Sequence, residues 1–355
     1  MPTPFVLRPF RPARWLPGAH AQTIAGRFLR GPAGVTYRRE RLELPDGDFV
    51  DLDHATVRGA PAPAPGAPVA LVVHGLEGGS GSSYVLESCR ALAEVGIRAV
   101  ALNFRSCSGE PNRLARFYHA GDTGDLAFAL AHVAAAHPGV PLVAVGFSLG
   151  GNVLLKYLGE RGEAVPLRAA VAVSVPFDLT AGAGQLDGTR TGRFYVRFFV
   201  RKLRRKFMGK RAMLAGYGDV ERALRARTFR EFDDAVTARL HGFRSAEHYW
   251  ESSSSAAFLA GIRIPTLILH AVDDPFLPPS AIPRDAVRAN PWLHAGFTAH
   301  GGHVGFVAGP PWAPEFWAEA EAARFLSERL RGAGMPHAAV EGRMTDGRDN
   351  ETDER

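Results

Sequence analysis

The hydrophobic positions of this chain fall into two alternating rhythms. Short, almost unbroken apolar runs occupy residues 69–73, 97–102, 142–145, 169–175 and 266–271, each bounded by glycine, proline or charged residues. Runs of that length without polar alternation read as strands buried on both faces, the pattern of a parallel sheet. Between them, apolar residues recur at three- and four-residue spacing over 84–95, 123–136 and 151–158, and again near 314–331. That is the helical rhythm, and the two in turn predict an α/β domain with a mostly parallel central sheet flanked by helices. Ahead of it, 38–44 and 49–57 read as paired strands, and Asp46-Gly47 between them predicts a hairpin.

The alternation stops after residue 175. From 176 to 261 the pattern is helical only, so a helical cap is expected there, inserted before the strand at 266–271 and lying above the sheet's edge. The expected organisation has an N-terminal extension packing on the core (1–35) and the first part of the core (36–175). The cap (176–261) and the second part of the core (262–331) follow, then a polar, disordered tail (332–355).

Candidate chemistry sits where strands end. The run 142–145 leads into Gly146-Phe147-Ser148-Leu149-Gly150, and helical spacing follows at once. A serine on so sharp a strand-to-helix turn is a nucleophile elbow, and the flanking glycines are needed because the turn leaves no room for side chains. The strand 69–73 runs into His74-Gly75-Leu76-Glu77-Gly78-Gly79. A loop of this type can supply one oxyanion-binding N–H, here from Leu76, beside that of Leu149 next to the serine. Strand 266–271 leads into Val272-Asp273-Asp274-Pro275, and a strand-like stretch at 294–298 leads into His300-Gly301-Gly302-His303.

Asp274 is preferred to Asp273 as the acid because the turn starts at it. His303 is preferred to His300 because the glycine pair lets it reach across to Ser148. His74 reads as a packing residue, and isolated histidines such as His20, His54, His119 and His241 are read as structural. The order serine, acid, histidine is that of the alpha/beta-hydrolases, unlike that of chymotrypsin-like or subtilisin-like enzymes.

Composition narrows the picture further. The two cysteines, Cys89 and Cys107, lack metal-ligand spacing, so no disulfide framework is expected and a reducing, cytoplasmic setting is; no metal or organic cofactor is expected either, since neither has a binding motif. The apolar runs are too short to span a bilayer and the first ten residues do not read as a leader. The net charge of +6 rests on arginine, since only four lysines occur, and is discounted as a nucleic-acid signal. Its main concentration runs from Arg197 to Arg211, interleaved with Phe194, Tyr195, Phe198, Phe199 and Phe207. A solvated face over an apolar cap is the plainer reading; contact with an anionic membrane surface is the alternative. Phe194, Tyr195, Phe198 and Phe199, with Tyr249 and Trp250, would suit an acyl tail.

Further motifs carry a family resemblance. They include His20-Ala21-Gln22-Thr23-Ile24, Asn103-Phe104-Arg105 ahead of Glu110-Pro111-Asn112, and Tyr118-His119-Ala120-Gly121-Asp122-Thr123. With the elbow, Asp273-Asp274-Pro275-Phe276 and Gly302-His303-Val304-Gly305-Phe306, they make the chain resemble the YheT-like alpha/beta-hydrolases from residue 15 to 330. Relatives in that group include fungal medium-chain ester synthases and mammalian abhydrolase-domain phospholipases. Two positions depart from the pattern: Ala21, commonly leucine, and Ser106, frequently glycine. The resemblance implies a charge relay of Ser148, Asp274 and His303 acting on short- to medium-chain esters, with monoacylglycerols among the candidates. Acyl transfer to an alcohol through the same acyl-enzyme, or a non-catalytic acyl-ligand-binding role, are the alternatives.

Overall fold

The computed structural model describes residues 4–31, 34–214, 216 and 219–332. Eight strands form one sheet in the order β1-β2-β4-β3-β5-β6-β7-β8. They are β1 (Val35–Glu43), β2 (Phe49–Val57), β3 (Val69–Val73), β4 (Arg98–Asn103), β5 (Leu142–Phe147), β6 (Ala169–Val173), β7 (Thr266–Ala271) and β8 (Leu293–Thr298). The first two pair antiparallel, as the Asp46-Gly47 turn predicts, and β2 pairs antiparallel with β4. From β4 to β8 every pairing is parallel.

Alternate residues of each buried strand serve opposite faces of the sheet. Val69, Leu71 and Val73 join Leu126, Leu130, Val153 and Leu154 from α3 (Thr123–Ala136) and α4 (Leu149–Arg161). Ala70 and Val72 face the other way, onto α2 (Ser83–Glu94) and the helix Trp317–Arg331. Two apolar layers thus hold the strands still, and every parallel strand ends at the same edge.

The amino-terminal segment packs onto this core through Phe5, Leu7 and Phe10, ahead of α1 (Ala19–Leu29). Between β6 and β7 the chain is helical, beginning with α5 (Leu179–Gly188) and α6 (Arg190–Gly209). A separate apolar cluster of Tyr195, Val196, Val200, Phe207, Phe232 and Val236 holds these helices together and meets Phe117 and Phe276 of the core. A short two-stranded ladder of Val307–Ala308 with Glu315–Phe316 does not register as strand in the apolar pattern. The tail expected to be disordered lies, Gly332 apart, outside the described residues. Among the described residues, no helix is long and apolar enough to cross a membrane, and Cys89 and Cys107 are free thiols.

Candidate active site

The elbow is built at the carboxyl end of β5. Ser148 has φ 51° and ψ −121°, a conformation that L residues rarely adopt, and α4 begins at the next residue. Its own N–H donates to Val173 O (2.8 Å) and its carbonyl accepts from Asn152 N (3.0 Å), so the strained residue is tied on both sides. A Cβ on Gly146 would lie 2.7 Å from Gly150 O, and one on Gly150 would lie 2.4 Å from His74 O. Only glycine fits at either position.

Three side chains from three strand ends meet there. His303 Nε2 lies 2.8 Å from Ser148 Oγ, and His303 Nδ1 lies 2.8 Å from Asp274 Oδ2. An ionised carboxylate can only accept, so Nδ1 carries the proton and Nε2 is left to accept from the serine hydroxyl. Asp274 is 3% exposed, and its other oxygen accepts from Phe276 N (2.9 Å). Burial alone would raise this carboxyl, but His303 and the hydrogen bonds it receives hold its pKa below the usual value.

Asp273 does different work: it accepts from Gly302 N (2.9 Å) and faces the exposed His300 (Nδ1, 3.2 Å). The two adjacent carboxylates thus divide between the imidazole of His303 and the loop that carries it.

That loop is held from parts of the chain remote in sequence. His303 N donates to Thr23 Oγ1 on α1 (2.8 Å), and Val304 N donates to Ser174 Oγ at the end of β6 (2.9 Å). Gln22 pairs with Val307 through both its amide atoms, and Phe276 stacks on the His303 ring at 4.0 Å. Val304 and Phe306 both sit at positive φ, 54° and 44°, which these anchors enforce. The segment His20-Ala21-Gln22-Thr23-Ile24 therefore serves the histidine loop, a role its position in the sequence does not suggest.

The loop after β3 presents its backbone to the serine. Gly75 N donates to Tyr84 Oη (2.9 Å), Glu77 N to Tyr118 Oη (2.7 Å) and Gly78 N to Gly75 O (3.1 Å). Among the described residues, the Leu76 N–H between them has no partner, and neither has the Leu149 N–H at the start of α4. Beneath them His74 is buried, donating from Nδ1 to Gly75 O (2.7 Å) and accepting at Nε2 from Phe104 N (3.2 Å). Burial pushes its pKa down to about 4, so it is a neutral packing residue.

Above the serine lies a cavity of about 1110 Å3, its solvent-open mouth included. Ser148, His303, Leu76 and Leu149 share it with Phe199, Leu203, Tyr249 and Trp250. The aromatics expected to meet an acyl tail therefore separate. Phe199, Tyr249 and Trp250 line the cavity, whereas Phe194 and Phe198 face outward, because α6 turns that side away from the core. His119 and His241, read as structural, also line it, with ring centroids 4.5 Å apart and both pKa values pushed down to about 3 by burial.

The basic stretch separates likewise. Lys202, Lys206 and Lys210 turn inward, to Glu77 O (3.1 Å), the Glu77 carboxylate (2.7 Å) and Asn112 Oδ1 (2.9 Å). Burial disfavours the Lys206 charge, but Cys107 and Glu77 beside it outweigh that and keep its pKa above the ordinary value. Arg197, Arg201, Arg205 and Arg211 stay exposed. A wholly solvated basic face is therefore not what α6 presents; its lysines bind the core.

Comparison with known proteins places this arrangement. The alpha/beta hydrolase fold family matches residues 68–310. The chain belongs to the alpha/beta-hydrolase family. Within it, YheT of Escherichia coli (strain K12) is 39% identical over 90% of this chain and 94% of its own length. The phospholipase ABHD3 of Mus musculus is 32% identical over 86% of this chain and 75% of its own. The chain is thus a YheT-like member, as its motifs imply. Among solved structures, the Pyrococcus furiosus esterase Pf2001 superposes with a TM-score of 0.52 at 14% identity over 84% of this chain and 92% of that one, a likeness of fold.

One departure from the YheT-like pattern has a structural answer. Ser106, where glycine is frequent, sits at φ 61°, and its hydroxyl accepts from Asn112 N (2.9 Å). A local hydrogen bond thus supports a conformation that glycine adopts without help.

Proposed function

We propose that this alpha/beta-hydrolase is a serine carboxylic ester hydrolase acting on short- to medium-chain acyl esters, monoacylglycerols included, in the cytoplasm. One observation carries the reading: the hydrogen-bonded chain Ser148 Oγ, His303, Asp274 lies under an apolar cavity beside two N–H groups that have no partner among the described residues. His303 Nε2 takes the serine proton as Oγ attacks the ester carbonyl, and Asp274 orients the imidazole and stabilises its cation. The Leu76 and Leu149 N–H groups receive the oxyanion, each worth about 3 kcal/mol of barrier. Nε2 then gives its proton to the leaving alcohol, and water, activated in the same way, frees the acyl group from Ser148. The relatives support the substrate class, being named for esterase and phospholipase activities.

The test is hydrolysis of p-nitrophenyl esters from acetate to palmitate by wild type and Ser148→Ala, with fluorophosphonate labelling of both. Wild-type turnover and labelling, both lost in the variant, support the reading, and the chain-length optimum sizes the pocket. Absence of turnover and labelling in the wild type overturns it in favour of a binding protein. Added ethanol separates hydrolysis from acyl transfer, since an ethyl ester product appears only in the latter.

The outward side of α6 supports contact with anionic lipid. Phe194 (65% exposed) and Phe198 (38%) stand beside Arg197, Arg201 and Arg205, with no acidic residue anywhere in the helix. Apolar rings among arginines on a helix without acidic residues suit a headgroup layer better than water. Sedimentation with phosphatidylglycerol vesicles, but not with phosphatidylcholine alone, is expected and should weaken in Phe194→Ser.

A further inference from the structure

The residue beside the proposed Leu76 oxyanion donor is fastened to the roof of the cavity. Glu77 has φ 53°, an unfavourable conformation for a side chain of its size, so something must hold it. Its N–H donates to Tyr118 Oη (2.7 Å), and the same hydroxyl donates to Glu77 Oε1 (2.9 Å). That carboxylate oxygen also receives Lys206 Nζ (2.7 Å), and the Glu77 carbonyl receives Lys202 Nζ (3.1 Å). Both lysines come from α6. The ion pair is withdrawn from water, with side chains 14% (Lys206) and 6% (Glu77) exposed, so solvent screens it little.

From this geometry we infer that Lys206 and Glu77 are positioning residues that couple the seating of the α6 roof to assembly of the oxyanion hole. The inference rests on the serine esterase reading and deepens it. With α6 seated, Lys206 and Lys202 fix both ends of Glu77, and its left-handed backbone aims the preceding N–H at the space beside Ser148. With α6 displaced, the carboxylate and carbonyl lose their cationic partners, the strained φ can relax, and Leu76 N–H swings away. A roof open for substrate entry is then poor at catalysis, and closure completes the site. Electrostatic stabilisation of this kind depends on donors held in advance where charge develops.

The third inward lysine supplies the control. Lys210 also anchors α6, but at Asn112, Leu114 and Arg116, away from Glu77. Losing that anchor removes none of the side chains that contact Glu77.

The experiment compares full-length wild type, Lys206→Met, Glu77→Gln, Lys206→Arg and Lys210→Met in p-nitrophenyl butyrate hydrolysis and in inhibition by an alkyl trifluoromethyl ketone. That ketone forms a bond from its carbonyl carbon to Ser148 Oγ. The serine proton passes to His303 Nε2 and the carbonyl electron pair to the oxygen, which becomes an oxyanion in the hole. Expected for Lys206→Met and Glu77→Gln is a fall in kcat of about tenfold or more with KM changed little, below the 10²–10³ typical of losing a donor outright. The ketone's Ki should rise by a matching factor. Lys206→Arg should recover most of both, while Lys210→Met lowers the melting temperature with kcat and Ki near wild type. A ketone Ki unchanged in Lys206→Met overturns the coupling, whether or not kcat falls, and so does an equal loss in Lys210→Met. If the wild type neither hydrolyses esters nor reacts with a fluorophosphonate, the esterase reading itself fails, and the coupling with it.

Discussion

The floor and the roof of the cavity are held by different forces. The floor is the carboxyl edge of β5, β7 and β8, whose strands lie in a continuous parallel ladder between two apolar layers. Its side chains are aimed by backbone conformations that only a rigid surround sustains, at Ser148, Val304 and Phe306. The roof is a set of helices with its own apolar cluster, joined to the core by inward lysines and a few aromatic contacts. Reactive groups need placement within fractions of an ångström, which a sheet edge supplies. Substrate entry needs a part that can shift, which side-chain contacts between helices allow. The difference predicts that the largest losses come from the floor, where groups touch His303 or backbone cannot move, whereas damage to the roof acts by degrees.

The largest contrast lies within the floor itself. Asp274→Asn should lower kcat by about 10⁴, because the amide favours the wrong imidazole tautomer. Asp273→Asn should cost about tenfold or less, since it braces Gly302 without touching His303. Steady-state kinetics of the two variants decides the matter, and equal losses would break the division of labour between the carboxylates.

A smaller effect is expected at Gly150. Its added Cβ would meet backbone atoms of Val73 and His74, which cannot swing aside. Gly150→Ala should therefore destabilise the fold by about 3 kcal/mol, as overpacking does. Urea unfolding measures it, and a near-neutral result would show the floor to be more yielding than its geometry implies.

The smallest effect belongs to the roof. Asp233 sits in a π-helical turn, where Thr237 Oγ1 (2.6 Å) and Trp250 Nε1 (2.9 Å) donate to it, and burial pushes its pKa up to about 6. Below about pH 4 folded and unfolded chains both hold this proton. Between pH 4 and 6 the unfolded chain releases it first, so the contribution to stability falls as pH rises and is lost above the folded pKa. Asp233→Asn should flatten that decline and stabilise the protein by about 1–2 kcal/mol at pH 7.5 but not at pH 4. Melting temperatures at the two pH values test it; a variant less stable at pH 7.5 would mean that the carboxylate is needed in charged form.

Much of the sheet was legible because buried parallel strands leave continuous apolar runs that turn residues interrupt. The hairpin at Asp46-Gly47 and the run 266–271 emerge where the pattern puts them. That Ser148, Asp274 and His303 come together at strand ends was legible for a related reason: strand ends are marked in sequence, and the turns they need are marked by Gly146, Gly150, Pro275 and Gly302. The anchors of the histidine loop were not. Thr23 and Ser174 lie 280 and 130 residues from the groups they hold, and no periodicity relates them. Nor does the short ladder at 307–308 leave a pattern, since two residues are too few to alternate.

The amino-acid sequence by itself determined the alternation of strand and helix, the strand-to-helix turn at Ser148 and the order serine, acid, histidine. These are local properties, set by hydrophobic period and by where glycine and proline permit a turn. Tertiary structure alone decided which way α6 faces, and hence that Lys206 meets Glu77 while Arg201 meets solvent. It decided equally that Phe199 lines the cavity and Phe198 does not. A basic aromatic helix is amphipathic in more than one direction. The surface it packs against selects the buried side, and that surface is made by residues far away in the chain.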